Sequence, residues 1–162
     1  MPVLRGSPRA GLPPVYFGAS SSAVKSIRPQ EAVAELAQVM SDNRFVSNPD
    51  ALVKSAMERE SMLSTAVGGG IAFPHVRGVE GGGLTLALGV SPAGIKWDTA
   101  GSVVNVVVFS VIPVAVSMFY LRLVAMLCDT FKKKDNLALV CGATSSAALW
   151  KSLVKATRYS VK

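Results

Sequence analysis

From Thr99 to Leu121 the chain carries no charged residue; the run reads TAGSVVNVVVFSVIPVAVSMFYL. A stretch of that length can cross a bilayer as a helix, or it can form the inside of a folded domain. Its composition favours the second reading. The first half is nearly all Val, Ile and Phe, which suit a strand, and Pro113 interrupts any continuous helix in the middle. The run therefore reads as a buried β-strand over Val103 to Ile112, a turn, and a helix from about Val116. Apolar residues continue at helical spacing through Leu121, Val124, Met126 and Leu127, past the charge of Arg122.

The rest of the chain supplies helices and short strands around that core. Residues 1–22 are rich in Pro, Gly and Ser and read as an irregular lead-in, with one edge strand at Val15-Tyr16-Phe17. Pro29 opens a helix through Glu31, Val33, Leu36 and Val39 that stops near Asp42-Asn43. Asn48 can cap a second helix with Pro49 at its first position, running to about Glu60. Ile71-Ala72-Phe73 reads as a short strand, Gly81 to Gly83 as a loop, Leu84 to Val90 as a strand, and Ile95 to Trp97 as a separate extended piece. The C-terminal third is helical, with a helix to about Phe131, one around Asn136 to Val140, and one after Thr144 or Ser145 carrying Leu149, Trp150 and Leu153. Helices flanking several short strands make the class α/β, a single domain over residues 23–160 with a small mixed β-sheet.

At 162 residues, half of them hydrophobic and 17% charged, the chain can bury one real core. The net charge of +7 suggests acidic partners, but the only basic run is Lys132-Lys133-Lys134, with no aromatic residues interleaved to stack on bases. That run reads as a solvated helix end, and nucleic acid is not expected as a partner. Cys128 and Cys141 have no second cysteine pair and one histidine for company, so no zinc spacing exists and two buried thiols in a reducing, cytoplasmic setting are expected. The N-terminal residues lack the apolar core of a signal peptide.

One histidine is present, His75, and it ends the segment STAVGGGIAFPH from Ser64, an order that presents an imidazole at the end of a buried strand. Histidine is the side chain that changes charge near neutrality without special help. The triple glycine Gly68 to Gly70 fits neither the phosphate-loop nor the dinucleotide pattern, and no nucleophile elbow is present. What remains is a neutral imidazole, which can take a phosphoryl group on a ring nitrogen. Such chemistry needs charge placed around it more than covalent help. Arg59 suits that need through its planar fork of donors, and the hydroxyls of Ser64 and Thr65 could bond the same oxygens or orient the ring. The glycines would let another protein's reactive group come close.

The whole string ERESMLSTAVGGGIAFPH, Glu58 to His75, closely resembles the active-site signature of the enzyme IIA domains of the fructose, mannitol and nitrogen-regulatory type. These belong to the bacterial phosphoenolpyruvate-dependent phosphotransferase system. The matching elements are Arg59-Glu60, Ser64-Thr65, Gly68-Gly69, Gly70-Ile71-Ala72 and Pro74-His75, and the resemblance extends over about Val24 to Ala156, through Gly94-Ile95 and Trp97-Asp98. It implies a sheet sandwiched between helices, with the histidine in a shallow surface depression. It further implies that His75 accepts a phosphoryl group from the small histidine-containing phosphocarrier protein, with Arg59 stabilising that group. His75 would then pass it to a IIB domain or signal to a regulated target protein. Neither a metal nor an organic cofactor is implied, and no insertion into the membrane.

One departure stands out. Many relatives carry a second histidine at the start of the helix after the long strand, where this chain has Tyr120, or Phe119 if the alignment slips by one. A tyrosine donates a hydrogen bond but does not share histidine's charge change near neutrality. On that ground a regulatory role is favoured over a sugar-specific one. The alternative from another class is a binding module that keeps the fold and is not phosphorylated.

Overall fold

The computed structural model describes residues 4–5, 15–19, 28–79 and 83–158. Six strands form one mixed sheet: β1 (Leu4–Arg5), β2 (Val15–Ala19), β3 (Ile71–Ala72), β4 (His75–Val79), β5 (Leu84–Lys96) and β6 (Val103–Pro113). The order is β1-β2-β5-β6, with β3 and β4 both on the outer side of β6. Strands β5 and β6 are antiparallel, whereas β2 runs parallel to β5, and β3 and β4 run parallel to β6. Among the described residues there are five α-helices: α1 (Pro29–Asp42), α2 (Pro49–Met62), α3 (Ser117–Phe131), α4 (Lys134–Cys141) and α5 (Ser146–Thr157). Asn48 and Ser145 cap α2 and α5, their side chains accepting from the N–H groups of Ala51 and Ala148.

The sheet is covered on both faces, which is why β6 has no polar alternation. Along its middle, Val106, Val108 and Ile112 pack with Tyr120, Leu127, Phe131, Val140, Leu149 and Leu153 of α3, α4 and α5. Val107, Phe109 and Val111 pack on the other side with Val33, Leu36 and Met40 of α1 and Ala56 of α2.

The uncharged run divides as its composition predicts. Strand β6 ends at Pro113, a short 3-10 turn covers Val114–Val116, and α3 follows. The eighteen residues Val114–Phe131 are long and apolar enough to cross a membrane, but one face of that segment packs on the sheet through Tyr120, Leu127 and Phe131. Three expectations need correction. β5 is one strand from Leu84 to Lys96 with a bulge between Val90 and Ile95, not two pieces, because the Asn105 amide donates to the carbonyls of Ser91 and Pro92 and carries the chain across the irregularity. The strand at residues 15–19 lies between β1 and β5, not at the edge. His75 begins a strand of its own, β4, where the sequence suggested that it ends one. Of the glycine loop, residues 80–82 lie outside the described residues. The three lysines sit exposed at the α3–α4 junction, where Lys132 pairs with Asp129 at 2.7 Å.

Candidate active site around His75

β3 and β4 run along the same side of β6, with a break at Phe73-Pro74 between them. Ile71 and Ala72 face Val106 and Val107, and His75 and Val76 face Ser110 and Val111 in unbroken register. Pro74 has no N–H to give the ladder, but its carbonyl still accepts from Ser110 N at 3.1 Å. The break frees the Phe73 carbonyl from the sheet, and the His75 ring takes it: Nδ1 lies 2.9 Å from that oxygen. Upstream, Gly70 adopts φ +77°, and its carbonyl accepts from the N–H groups of both Asn105 and Val106. A Cβ at Gly70 would stand 3.0 Å from Asn105 Oδ1 and 3.1 Å from Leu137 Cδ2, so this glycine serves a tight inward turn and not the approach of a partner.

A carbonyl oxygen only accepts, so the Phe73 bond assigns the proton to Nδ1 and leaves the lone pair on Nε2. Burial is the main cause that lowers the His75 pKa from its ordinary 6.5; the Phe73 bond opposes it, and the charges of Arg59 and Arg77 lower it further. The ring is thus held neutral and nucleophilic at pH 7. It lines an open surface groove with Ser55 and Arg59 of α2 and with Val76 and Arg77 of β4. Arg59 sits in the last turn of α2, its Nη1 donating to the Leu63 carbonyl at 3.0 Å. Arg77 is a groove residue that the sequence reading passed over; its signal was the two-residue period of a strand starting at His75.

Tyr120 lies on the sheet side of α3, 3% exposed, its ring 5.8 Å from that of His75 and tilted by 50°. Burial pushes its phenol upward, with the neighbouring Ser110 hydroxyl drawing it back by less, so it stays a neutral donor. Ser110 Oγ is fully buried and makes no hydrogen bond of good geometry. Phe119 is partly buried against the α3–α5 side of the core.

Ser64 and Thr65 are engaged elsewhere than at the ring. Thr65 gives its N–H and its hydroxyl to the two Glu60 oxygens at 2.7 and 2.6 Å, and Trp97 Nε1 gives its proton to the same carboxylate at 2.7 Å. The Thr65 carbonyl in turn accepts from Phe73 N. Ser64 Oγ donates to Asp98 Oδ2 at 2.7 Å. The N–H of Ser102 and the Ser64 hydroxyl together hold the Asp98 carboxyl below the usual carboxylate range. These hydroxyls therefore frame the segment that carries His75. Glu60 is the hub of that frame, a role its place in the Arg-Glu pair did not announce. Among the described residues, no three His, Cys, Asp or Glu side chains converge as metal ligands would. Cys128 and Cys141 are free, half-buried thiols whose pKa values burial raises.

The comparisons with known proteins bear on the family and the fold. The family model described as phosphoenolpyruvate-dependent sugar phosphotransferase system, EIIA 2, matches residues 23–156. A mannitol-specific phosphotransferase enzyme IIA component of Staphylococcus aureus is 31% identical over 121 residues, which cover 72% of this chain and 78% of that protein. Among solved structures, the nitrogen regulatory protein IIA-Ntr of Neisseria meningitidis superposes with a TM-score of 0.69 at 17% identity, covering 86% of this chain and 92% of its own. The Escherichia coli IIA mannitol protein superposes at 0.66 and 17% identity, covering 84% and 95%. The enzyme IIAMTL of Escherichia coli, solved in complex with phosphorylated enzyme IIBMTL, gives 0.66 at 14% identity, covering 86% and 99%. These structures share the sandwich of helices around a mixed sheet, and with the residues matched by the family model they make this chain a member of the type 2 enzyme IIA family of the phosphotransferase system.

Proposed function

We propose that the chain is a cytoplasmic phosphohistidine carrier in which His75 accepts a phosphoryl group from the histidine-containing phosphocarrier protein. The observation that carries this reading is the Nδ1–Phe73 hydrogen bond, which leaves a lone pair on Nε2 in a groove walled by Arg59 and Arg77. In the transfer, the Nε2 lone pair attacks phosphorus as the donor's own N–P bond breaks, and that bond's electrons return to the donor imidazole. The proton stays on Nδ1, which donates it to the Phe73 carbonyl, and that hydrogen bond steadies the positive charge of the phosphorylated ring. Arg59 receives the phosphoryl oxygens. Ser64 and Thr65 act through the frame they build, and Tyr120 offers one neutral hydrogen bond beside the ring.

His75 then passes the group to a IIB domain or signals by carrying it. The IIAMTL–IIBMTL complex is a precedent for the first route in a relative of the same fold. Tyr120 in the place of a second titrating ring favours the regulatory route, since a neutral phenol suits a phosphoryl group held for readout over one moved rapidly onward. The test is incubation with labelled phosphoenolpyruvate, enzyme I and the phosphocarrier protein. Acid-labile label should appear, and His75→Ala should abolish it. Label that survives the substitution sinks the assignment. The same Tyr120 supports a second reading, a binding module that is never phosphorylated; it predicts no label in the wild-type protein.

A further inference from the structure

We propose that Arg77 is the second cation of an anion clamp at His75, opposite Arg59, and that it contacts the phosphoryl oxygens directly. Residues 75 and 77 are two apart on β4, which puts their side chains on the same side of the strand about 6–7 Å apart. Both line the groove that Arg59 also lines, so the two arginines come to it from different elements, α2 and β4. A guanidinium on a long side chain spans such a distance, and its forked donors match a phosphoryl group.

Charge shows why a second cation belongs there. A phosphoryl group on nitrogen carries nearly two negative charges at neutral pH. Arg59 has already given one donor to the Leu63 carbonyl, and Tyr120 is a neutral phenol, so neither completes the neutralisation. Arg77 is exposed, and among the described residues none forms an ion pair or hydrogen bond with it. Its field reaches both the His75 ring and the Tyr120 phenol in the same sense as that of Arg59. Glu60 acts on the ring with the opposite sign, but both its oxygens are committed to Thr65 and Trp97. The clamp deepens the carrier reading of His75, yet an anion site built from two arginines can be tested without any transfer.

The experiment is a titration of the unphosphorylated protein with inorganic phosphate, followed by the NMR signals of the His75 ring, for wild type, R77Q and R77K. R77Q should weaken phosphate binding about tenfold, with R77K falling between R77Q and wild type because it keeps the charge and loses the fork. R77Q should also let the His75 pKa rise, because one of the charges lowering it has gone. Phosphate affinity of R77Q within about twofold of wild type overturns the clamp, whatever the label experiment gives. If wild type takes no label but R77Q still loses phosphate affinity, the clamp stands and the carrier reading falls.

Discussion

Glu60→Ala should be among the most damaging single changes near the site, although Glu60 touches no reacting atom. Its carboxylate takes three hydrogen bonds of 2.6 to 2.7 Å, from Thr65 N, Thr65 Oγ1 and Trp97 Nε1. Thr65 is 7% exposed and Trp97 4%, so water has little access to the donors left behind. A hydrogen bond to a charged group contributes roughly 1.5–3 kcal/mol, and a stranded buried donor costs roughly 1–3 kcal/mol. The three bonds share one acceptor and do not add, so a net loss of about 3–5 kcal/mol is expected for the alanine variant. Glu60→Gln behaves differently. Its amide oxygen can stand where Oε1 accepts from Thr65 N and Trp97 Nε1, and its NH2 can donate to Thr65 Oγ1. Only the charge assistance is lost, about 1 kcal/mol. Urea unfolding of both variants at pH 7 measures the difference. Because the Thr65 carbonyl also holds Phe73 N, the alanine variant should lose the His75 platform and transfer slowly even where folded. Two variants of equal stability, or an alanine variant within about 0.5 kcal/mol of wild type, would refute the hub.

Arg59→Ala should slow transfer roughly 10- to 100-fold by removing phosphoryl stabilisation, with stability changed by less than about 0.5 kcal/mol since its bond to the Leu63 carbonyl is exposed; rapid-quench kinetics and a melt separate the two effects. The rate of His75 phosphorylation should hold its plateau below pH 6.5 and fall only as the lowered pKa is crossed, because the neutral ring persists to lower pH than in a free imidazole; a midpoint above 6.5 would contradict the burial argument. The stability sign follows from the same shift. The unfolded chain takes up the proton first, so this residue's contribution is lost as pH falls from 6.5 toward the folded-state value, and urea midpoints should drop across that window. Gly70→Ala should cost at least about 1–2 kcal/mol from the positive φ alone, with the close Asn105 and Leu137 atoms adding to it, measured as a lowered urea midpoint.

What the sequence discloses follows the range of the interactions involved. The split of the uncharged run into β6 and α3 is local: β-branched residues, then a proline, then helical spacing. The Asn48-Pro49 start of α2 and the Ser145 start of α5 are local in the same way. The continuity of β5 is not, because Ser91-Pro92-Ala93-Gly94 looks like a turn until Asn105, more than a dozen residues on, bridges it. The position of β2 inside the sheet depends on parallel pairing with β5, which no local pattern encodes. At the site, His75 and Arg59 stand out by residue type and spacing. Ser64 and Thr65 do not reveal their partners, since Asp98 and Trp97 lie 34 and 37 positions from Ser64 and Glu60. Arg77 hides because an arginine on a strand reads as solvent-facing until the groove beside it is known.

The carrier reading turns on which nitrogen of His75 takes the phosphoryl group. NMR of the phosphorylated protein, with the imidazole nitrogens resolved, answers this directly. The Phe73 carbonyl holds the proton on Nδ1, so an acid-labile phosphoryl group on Nε2 of His75 is the predicted result. A phosphoryl group on Nδ1, an acid-stable one on Tyr120, or none at all would contradict it.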